Sequence, residues 1–176
     1  MDENSVKYSL TNQLHMLRHF ESMPPALEQA LLRAGYTSTL IAKEMNVPSS
    51  RYYKSFAVDI PTLLKQFFQS DYTEYLGDNG NTILHGQVCQ LEFKDGIGTK
   101  GVLPIEEIPV ERRSQIFTQN NRGIKLLHYQ LDKLPSTLEL TLVLRRTTYG
   151  FVFITSFPGI PAMPLPTHRL GQEEYQ

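Results

Sequence analysis

Apolar residues recur at helical spacing through the first part of the chain. Leu10, Leu14 and Leu17, with Met16 and Phe20, mark one run, and Leu27 and Leu31 mark a second. Pro24 and Pro25 sit where a first helical turn tolerates proline. Gly35 follows Ala34 where a helix end accepts a left-handed residue, so the second helix is predicted over residues 25 to 34. Thr37 and Ser38 can cap a third helix running through Met45, and Pro61 can open a fourth carrying Leu63, Leu64, Phe67 and Phe68. The cluster Gly77, Asp78, Asn79 and Gly80 is a concentrated turn signal.

Beyond that turn the period changes from helix to strand. Ser136 to Arg145 alternates, with Leu138, Leu140, Leu142 and Leu144 on one face and Thr137, Glu139, Thr141, Val143 and Arg145 on the other. Thr147, Thr148, Tyr149 and Gly150 can turn the chain back into Phe151 to Phe157, a β-branched and aromatic run, as an antiparallel hairpin. Leu84 to Phe93 and Gly123 to Leu131 supply two more strands, and Pro109 can start a helix ending at Asn120 and Asn121. The expected fold is α+β: an N-terminal helical region followed by a twisted antiparallel β-sheet packed on helices. Residues 1–79 form a helical accessory or entry region and residues 80–176 an α+β domain. Four prolines between Pro158 and Pro166 make its tail extended.

Composition narrows the class. With 176 residues and 40% hydrophobic side chains the chain can bury a core, and its one cysteine, Cys89, excludes a disulfide framework or a zinc ribbon. The longest apolar stretch, Phe151 to Ile154, is far below the roughly 20 residues of a membrane helix. The polar start, Met1 to Lys7, lacks a signal-peptide pattern, so the expected location is cytoplasmic. Charge divides unevenly: residues 1 to 80 hold 7 Lys and Arg against 9 Asp and Glu, and residues 81 to 170 hold 10 against 7. A partner with negative charge therefore belongs to the C-terminal half.

Several side chains could carry chemistry. His15 and His19 lie four apart, but no third ligand stands at metal spacing, and no cofactor is implied. His85 enters the β region beside Gly86, and His128 alternates with Leu127 and Tyr129. The segment Lys94-Asp95-Gly96-Ile97-Gly98-Thr99-Lys100-Gly101 could turn backbone N–H groups toward an anion with Lys100 adding charge, although it matches neither the P-loop nor the dinucleotide fingerprint. Arg145 and Arg146 share one hairpin end with Thr147 and Thr148, and Thr155 and Ser156 put hydroxyls on opposite faces of the returning strand. Guanidinium plus hydroxyl suits phosphate. Residues 41 to 53 also have the outline of a helix-turn-helix in which Arg51 would face a DNA groove.

The order ILHGQV, then DGIGTKG, then a helix, then strands ending in GFVFITSFPG resembles the barnase, EndoU, colicin and RelE superfamily of metal-independent ribonucleases. In layout it is most similar to EndoU-like toxin domains of bacterial contact-dependent inhibition systems. The resemblance spans roughly residues 80 to 166 and includes a terminal T-x-[FY]-P strand, here Thr155 to Pro158. It implies His85 as general acid or base, Lys100 as the phosphate-neutralising cation, and Thr155 or Ser156 on the scissile phosphate or a base. The second histidine of EndoU-like domains has no counterpart, because Leu103 stands near its place.

Cleaving RNA without a metal needs a base for the 2′-hydroxyl, an acid for the leaving 5′-oxygen and cations for the phosphorane. His85, His128, Lys100 and Thr155 are the expected catalytic groups, with Arg145, Arg146, Thr148 and Ser156 binding substrate. The expected activity is that of a ribonuclease toxin of interbacterial competition acting by transesterification. Its partners would be RNA, transfer RNA being one candidate, and a cognate immunity protein. The alternative from another class is a non-catalytic immunity or antitoxin-type factor that binds a protein through its sheet and tail.

Overall fold

The structure is a computed structural model that describes residues 1–47, 50–56, 59–77, 80–88, 93–104, 110–111, 124–126 and 135–161. Its elements are α+β. Helices α1 (Leu10–Met16), α2 (Pro25–Arg33), α3 (Ser38–Met45) and α4 (Ile60–Phe67) precede most of the strands, which are β1 (Val6–Lys7), β2 (Tyr72–Leu76), β3 (Asn81–Gln87), β4 (Gly98–Thr99), β5 (Val102–Pro104), β6 (Ile124–Leu126), β7 (Ser136–Thr137), β8 (Glu139–Thr147) and β9 (Gly150–Pro158).

The helices begin where side chains can satisfy their first N–H groups. Ser9 and Asn12 form a reciprocal cap on α1, Thr37 accepts from Leu40 N–H on α3, and Asp59 accepts from Thr62 N–H on α4. Pro24 and Pro25 open α2, and Gly35, at φ +99°, lies just past its end.

The main sheet has the order β1-β9-β8-β3-β2. It is mixed, not wholly antiparallel, because β1 runs parallel to β9 through Val6 opposite Phe151 and Lys7 opposite Val152. The register of β8 against β9 shifts between Val143 and Leu144, where Val143 faces Thr155 and Leu144 faces Phe153. Ile154 is therefore the extra residue of a bulge. Without it, strict alternation would send Phe153 and Ser156 to opposite faces; with it, both join Leu140, Leu142 and Leu144 on the helix-covered face.

That face and the helices share one core. Leu84, Leu140, Leu142, Leu144 and Phe153 belong to the same buried cluster as Leu14, Leu17, Leu31, Ile41, Leu63 and Phe67. The pairing of β2 with β3 joins residues 72–76 to 82–86 across the expected division, and Gly86 leaves room for Phe67, since a Cβ there would lie 3.1 Å from its ring. Residues 1–79 are thus not a separate accessory region: their helices are the second layer of the fold, and their last strand is an edge of its sheet.

The expected helix-turn-helix is also overturned. After α3 the backbone of Tyr52 bridges Phe20 on one side and Gly98 on the other. The Arg51 guanidinium donates to the carbonyls of Phe20 at 2.7 Å, Met45 at 2.6 Å and Val47 at 3.0 Å. It closes the end of α3 and faces no groove. The expected helix from Pro109 and the expected tail from Pro158 fall largely outside the described residues, as do Cys89 and His128.

Candidate functional site

The face of the sheet turned away from the helical core is built by register. Antiparallel pairing places His85 directly opposite Thr141, and Gln87 opposite Glu139, so side chains of β3 and β8 meet there as cross-strand neighbours. Lys100 comes from a different direction. It follows β4, which pairs with β7, and its N–H donates to the Pro135 carbonyl at 2.8 Å.

Gly159 joins these pieces. Its N–H donates to the Glu139 carbonyl at 2.9 Å, and its own carbonyl accepts from the Thr141 hydroxyl at 2.7 Å. It holds φ at +102°, and a Cβ there would come within 3.3 Å of the Lys100 Cα. Only glycine meets both the backbone angle and the close approach without strain. Lys100 is thereby seated against the end of β8.

The result is a three-residue charge cluster. His85 Nε2 lies 3.3 Å from one Glu139 carboxylate oxygen, and Lys100 Nζ lies 3.2 Å from the other. The His85 contact has the range of an ion pair but not the alignment of a hydrogen bond, and Nε2 has no other protein partner among the described residues. Thr137 holds the carboxylate from below: its hydroxyl accepts from Glu139 N–H at 2.9 Å and donates to the second oxygen at 3.3 Å. The neighbouring His85, and after it Lys100, lower the Glu139 pKa to about 2 against the opposing effect of burial. The carboxylate is ionised at neutral pH.

This has a consequence for acid stability. Because the folded-state pKa is depressed, the contribution is full above the ordinary carboxylate value near 4.5 and is lost as pH falls toward 2. Urea unfolding at pH 5 and at pH 2.5 should show the wild-type advantage over Glu139→Gln shrinking by on the order of 1–2 kcal/mol, screening of a side chain 28% exposed being allowed for. An advantage that is independent of pH would mean the cluster does not stabilise the ionised carboxylate.

Two clefts meet at the cluster. One, of about 550 Å³, is bordered by Lys94, Lys100, Ser136 and Glu139; the other, of about 250 Å³, by Asp71, Thr73, His85 and Glu139. Gln87 borders both. A larger groove of about 690 Å³ lies elsewhere, among Met23, Leu27, Tyr53 and Phe56. It is mostly apolar, and although Glu21, Lys54 and Asp59 border it they form no side-chain ion pair with one another among the described residues, so the chemistry is sought in the smaller polar clefts.

The remaining expected residues do not join this group. Arg145 is on the same face as Thr141 but four residues further along β8, roughly 13 Å away. Arg146 lies over the Phe151 ring at 5.6 Å, and Thr148 is exposed in the turn beyond it. Thr155 faces Val143, one strand further from β3 and two residues along from Thr141. Ser156 is fully buried on the core face: its hydroxyl accepts from Tyr52 Oη at 2.8 Å and reaches Met16 Sδ at 4.0 Å. It is sealed from any substrate, and burial raises the pKa of its Tyr52 partner. His128 lies outside the described residues.

The glycine-containing loop is not an anion cradle of free amides. The N–H groups of Gly96, Ile97, Thr99 and Lys100 donate to the carbonyls of Phe93, Thr137, Arg51 and Pro135. What the loop offers is its lysine side chains. Sequence reasoning missed Glu139 and Gly159 as site residues. The one available signal was Glu139 on the polar row of the most regular strand, and it carries chemistry only once β3 is paired to it.

Among the described residues no three His, Cys, Asp or Glu side chains gather at metal-binding range, and no helix is long and apolar enough to cross a membrane. Comparison with protein families, with curated proteins and with solved structures finds no match for this chain.

Proposed function

We propose that the protein is a metal-independent ribonuclease in which Glu139 and His85 move the protons and Lys100 neutralises the phosphate. The observation that carries this reading is the convergence of an imidazole, a carboxylate and an ammonium, from three separate elements, where two polar clefts meet. Glu139 supplies the second proton carrier that the histidine pattern lacks.

The reaction needs one group on each side of phosphorus, since attacking and leaving oxygens lie in line. Glu139 takes the proton from the 2′-hydroxyl as the bond from that oxygen to phosphorus forms. Protonated His85 gives its proton to the 5′-oxygen as that bond breaks. A phosphodiester entering between the clefts parts the 3.3 Å contact between them and draws Lys100 from Glu139 onto a phosphate oxygen. Loss of that cation makes the carboxylate a stronger base at the moment it is needed. After release, Glu139 returns the proton to His85 across the restored contact. The resemblance of residues 80 to 166 to EndoU-like toxin domains extends the reading to a toxin held by an immunity protein.

The direct test is incubation of the purified chain with single-stranded RNA and with DNA of the same sequence, in the presence of a metal chelator. RNA is expected to be cut to fragments ending in 2′,3′-cyclic phosphate, with DNA left intact because it lacks the nucleophile. RNA that stays whole, or DNA cut equally, overturns the reading.

A further inference from the structure

Resting on that reading, we infer that Lys94 is a second phosphate-binding residue, and that the cleft beside Lys100 takes the phosphodiester next to the scissile one. The observations are independent of the proton chemistry. The cleft holds about 550 Å³, within the roughly 300–1,000 Å³ of ligand sites and more than one phosphate fills, whereas the notch on the His85 side holds about 250 Å³. Lys94 and Lys100 stand at opposite ends of one loop and both border the larger cleft. Lys100 is already engaged with Glu139, while Lys94 is exposed and has no carboxylate at ion-pair range among the described residues.

The cleft also contains two carboxylates, and Lys100 already engages that of Glu139. The other is that of Asp95, which is exposed; its backbone carbonyl accepts from the Ser136 hydroxyl at 2.6 Å, which anchors the turn that carries Lys94. The loop amides named above are spent on backbone carbonyls. Recognition in this cleft must therefore come from side-chain ammonium groups and from the amide of Gln87. That chemistry fits a phosphate oxygen on a flexible strand and carries no base preference. The smaller notch has Asp71 and Thr73 instead and, among the described residues that border it, no lysine or arginine, so a chain of phosphates has one side of the cluster to follow.

The test uses binding, not turnover. Oligonucleotides carrying 2′-O-methyl groups lack the attacking hydroxyl and bind without being cut. A dinucleotide has one phosphodiester and a trinucleotide two. Wild-type protein should bind the trinucleotide roughly three- to fivefold tighter than the dinucleotide at low salt. Lys94→Gln should abolish that gain and lower the slope of log affinity against log salt by about 0.7, with Lys94→Arg restoring both. An undiminished gain in Lys94→Gln overturns the assignment of Lys94 while leaving the ribonuclease reading intact. Failure of wild-type protein to bind either oligonucleotide overturns both.

Discussion

His85→Ala is expected to slow RNA cleavage by about 10²- to 10⁴-fold, the range that a positioned proton-transfer group supplies. The side chain is on β3, 18% exposed, lies beside the Glu139 carboxylate, and by register is on the sheet face opposite the leucine-rich core. The variant should therefore fold, and an unchanged circular dichroism spectrum with an unchanged thermal midpoint within a few degrees would establish that. Glu139→Gln should lose a comparable amount of activity. Groups that pass protons as a unit are strongly non-additive, so the double variant should be no slower than the worse single one. Cleavage by His85→Ala within threefold of wild type would remove the imidazole from the reaction. With it would go the ribonuclease assignment, and a protein-binding role of the immunity or antitoxin kind would take its place.

Phe67→Ala carries the largest expected effect on stability, about 3–5 kcal/mol. Phe67 is 2% exposed, with its ring 5.2 Å from that of Phe68 and 5.4 Å from that of Tyr72, and it fills the space that Gly86 leaves open in β3. Through it α4 packs against the strand that bears His85. For a domain whose whole stability is about 5–15 kcal/mol, that loss approaches the full margin. Urea unfolding followed by far-ultraviolet dichroism and by tyrosine fluorescence should shift as one transition, because helices and sheet share a core. The chain has 9 tyrosines and no tryptophan, so the tyrosine signal is unobstructed. Two separated transitions, with the sheet unmoved by the substitution, would contradict the single core and restore an independent N-terminal region.

The clusters of charge at the site and at the hairpin tip have different standing for the same physical reason. Glu139, His85 and Lys100 are tied together by strand register and by Gly159, whereas Arg145 and Arg146 lie near the end of β8, roughly 13 Å from the His85 level, and share no partner with them among the described residues. Arginine, lysine and histidine look equally able to meet a phosphate when they are counted along a chain. Only distance separates a site from a solvated edge.

Local pattern was enough for elements whose physics is local. The four helices followed from the 3.6-residue recurrence of apolar side chains together with Thr37, Pro25 and Gly35 as boundaries, and the β8–β9 hairpin from strict alternation closed by a glycine turn. The expected α+β class follows from those elements and is the class of the fold. Strand β2 was hidden because Tyr72 to Leu76 stands next to a helix and has no long alternating run of its own; it is a strand because β3 lies beside it. The parallel strand β1 is two residues long, and nothing local distinguishes it from a loop.

The site divides along the same line. His85 and Lys100 were legible as chemistry-bearing residues near glycines. Ser156 was misplaced because a one-residue bulge at Ile154 reverses which face a side chain takes, and an alternation pattern contains no record of where its partner strand slips. Glu139 was visible on the polar row of its strand but had no assigned work. Its role depends on Gly159 folding back to hold Lys100, and on β3 delivering His85 from more than fifty positions earlier. Contacts between residues so far apart in the chain are set by the packing of whole elements. The sequence therefore determined the kinds of element and the chemical types on hand, and the tertiary fold decided which of those groups stand within reach of one another.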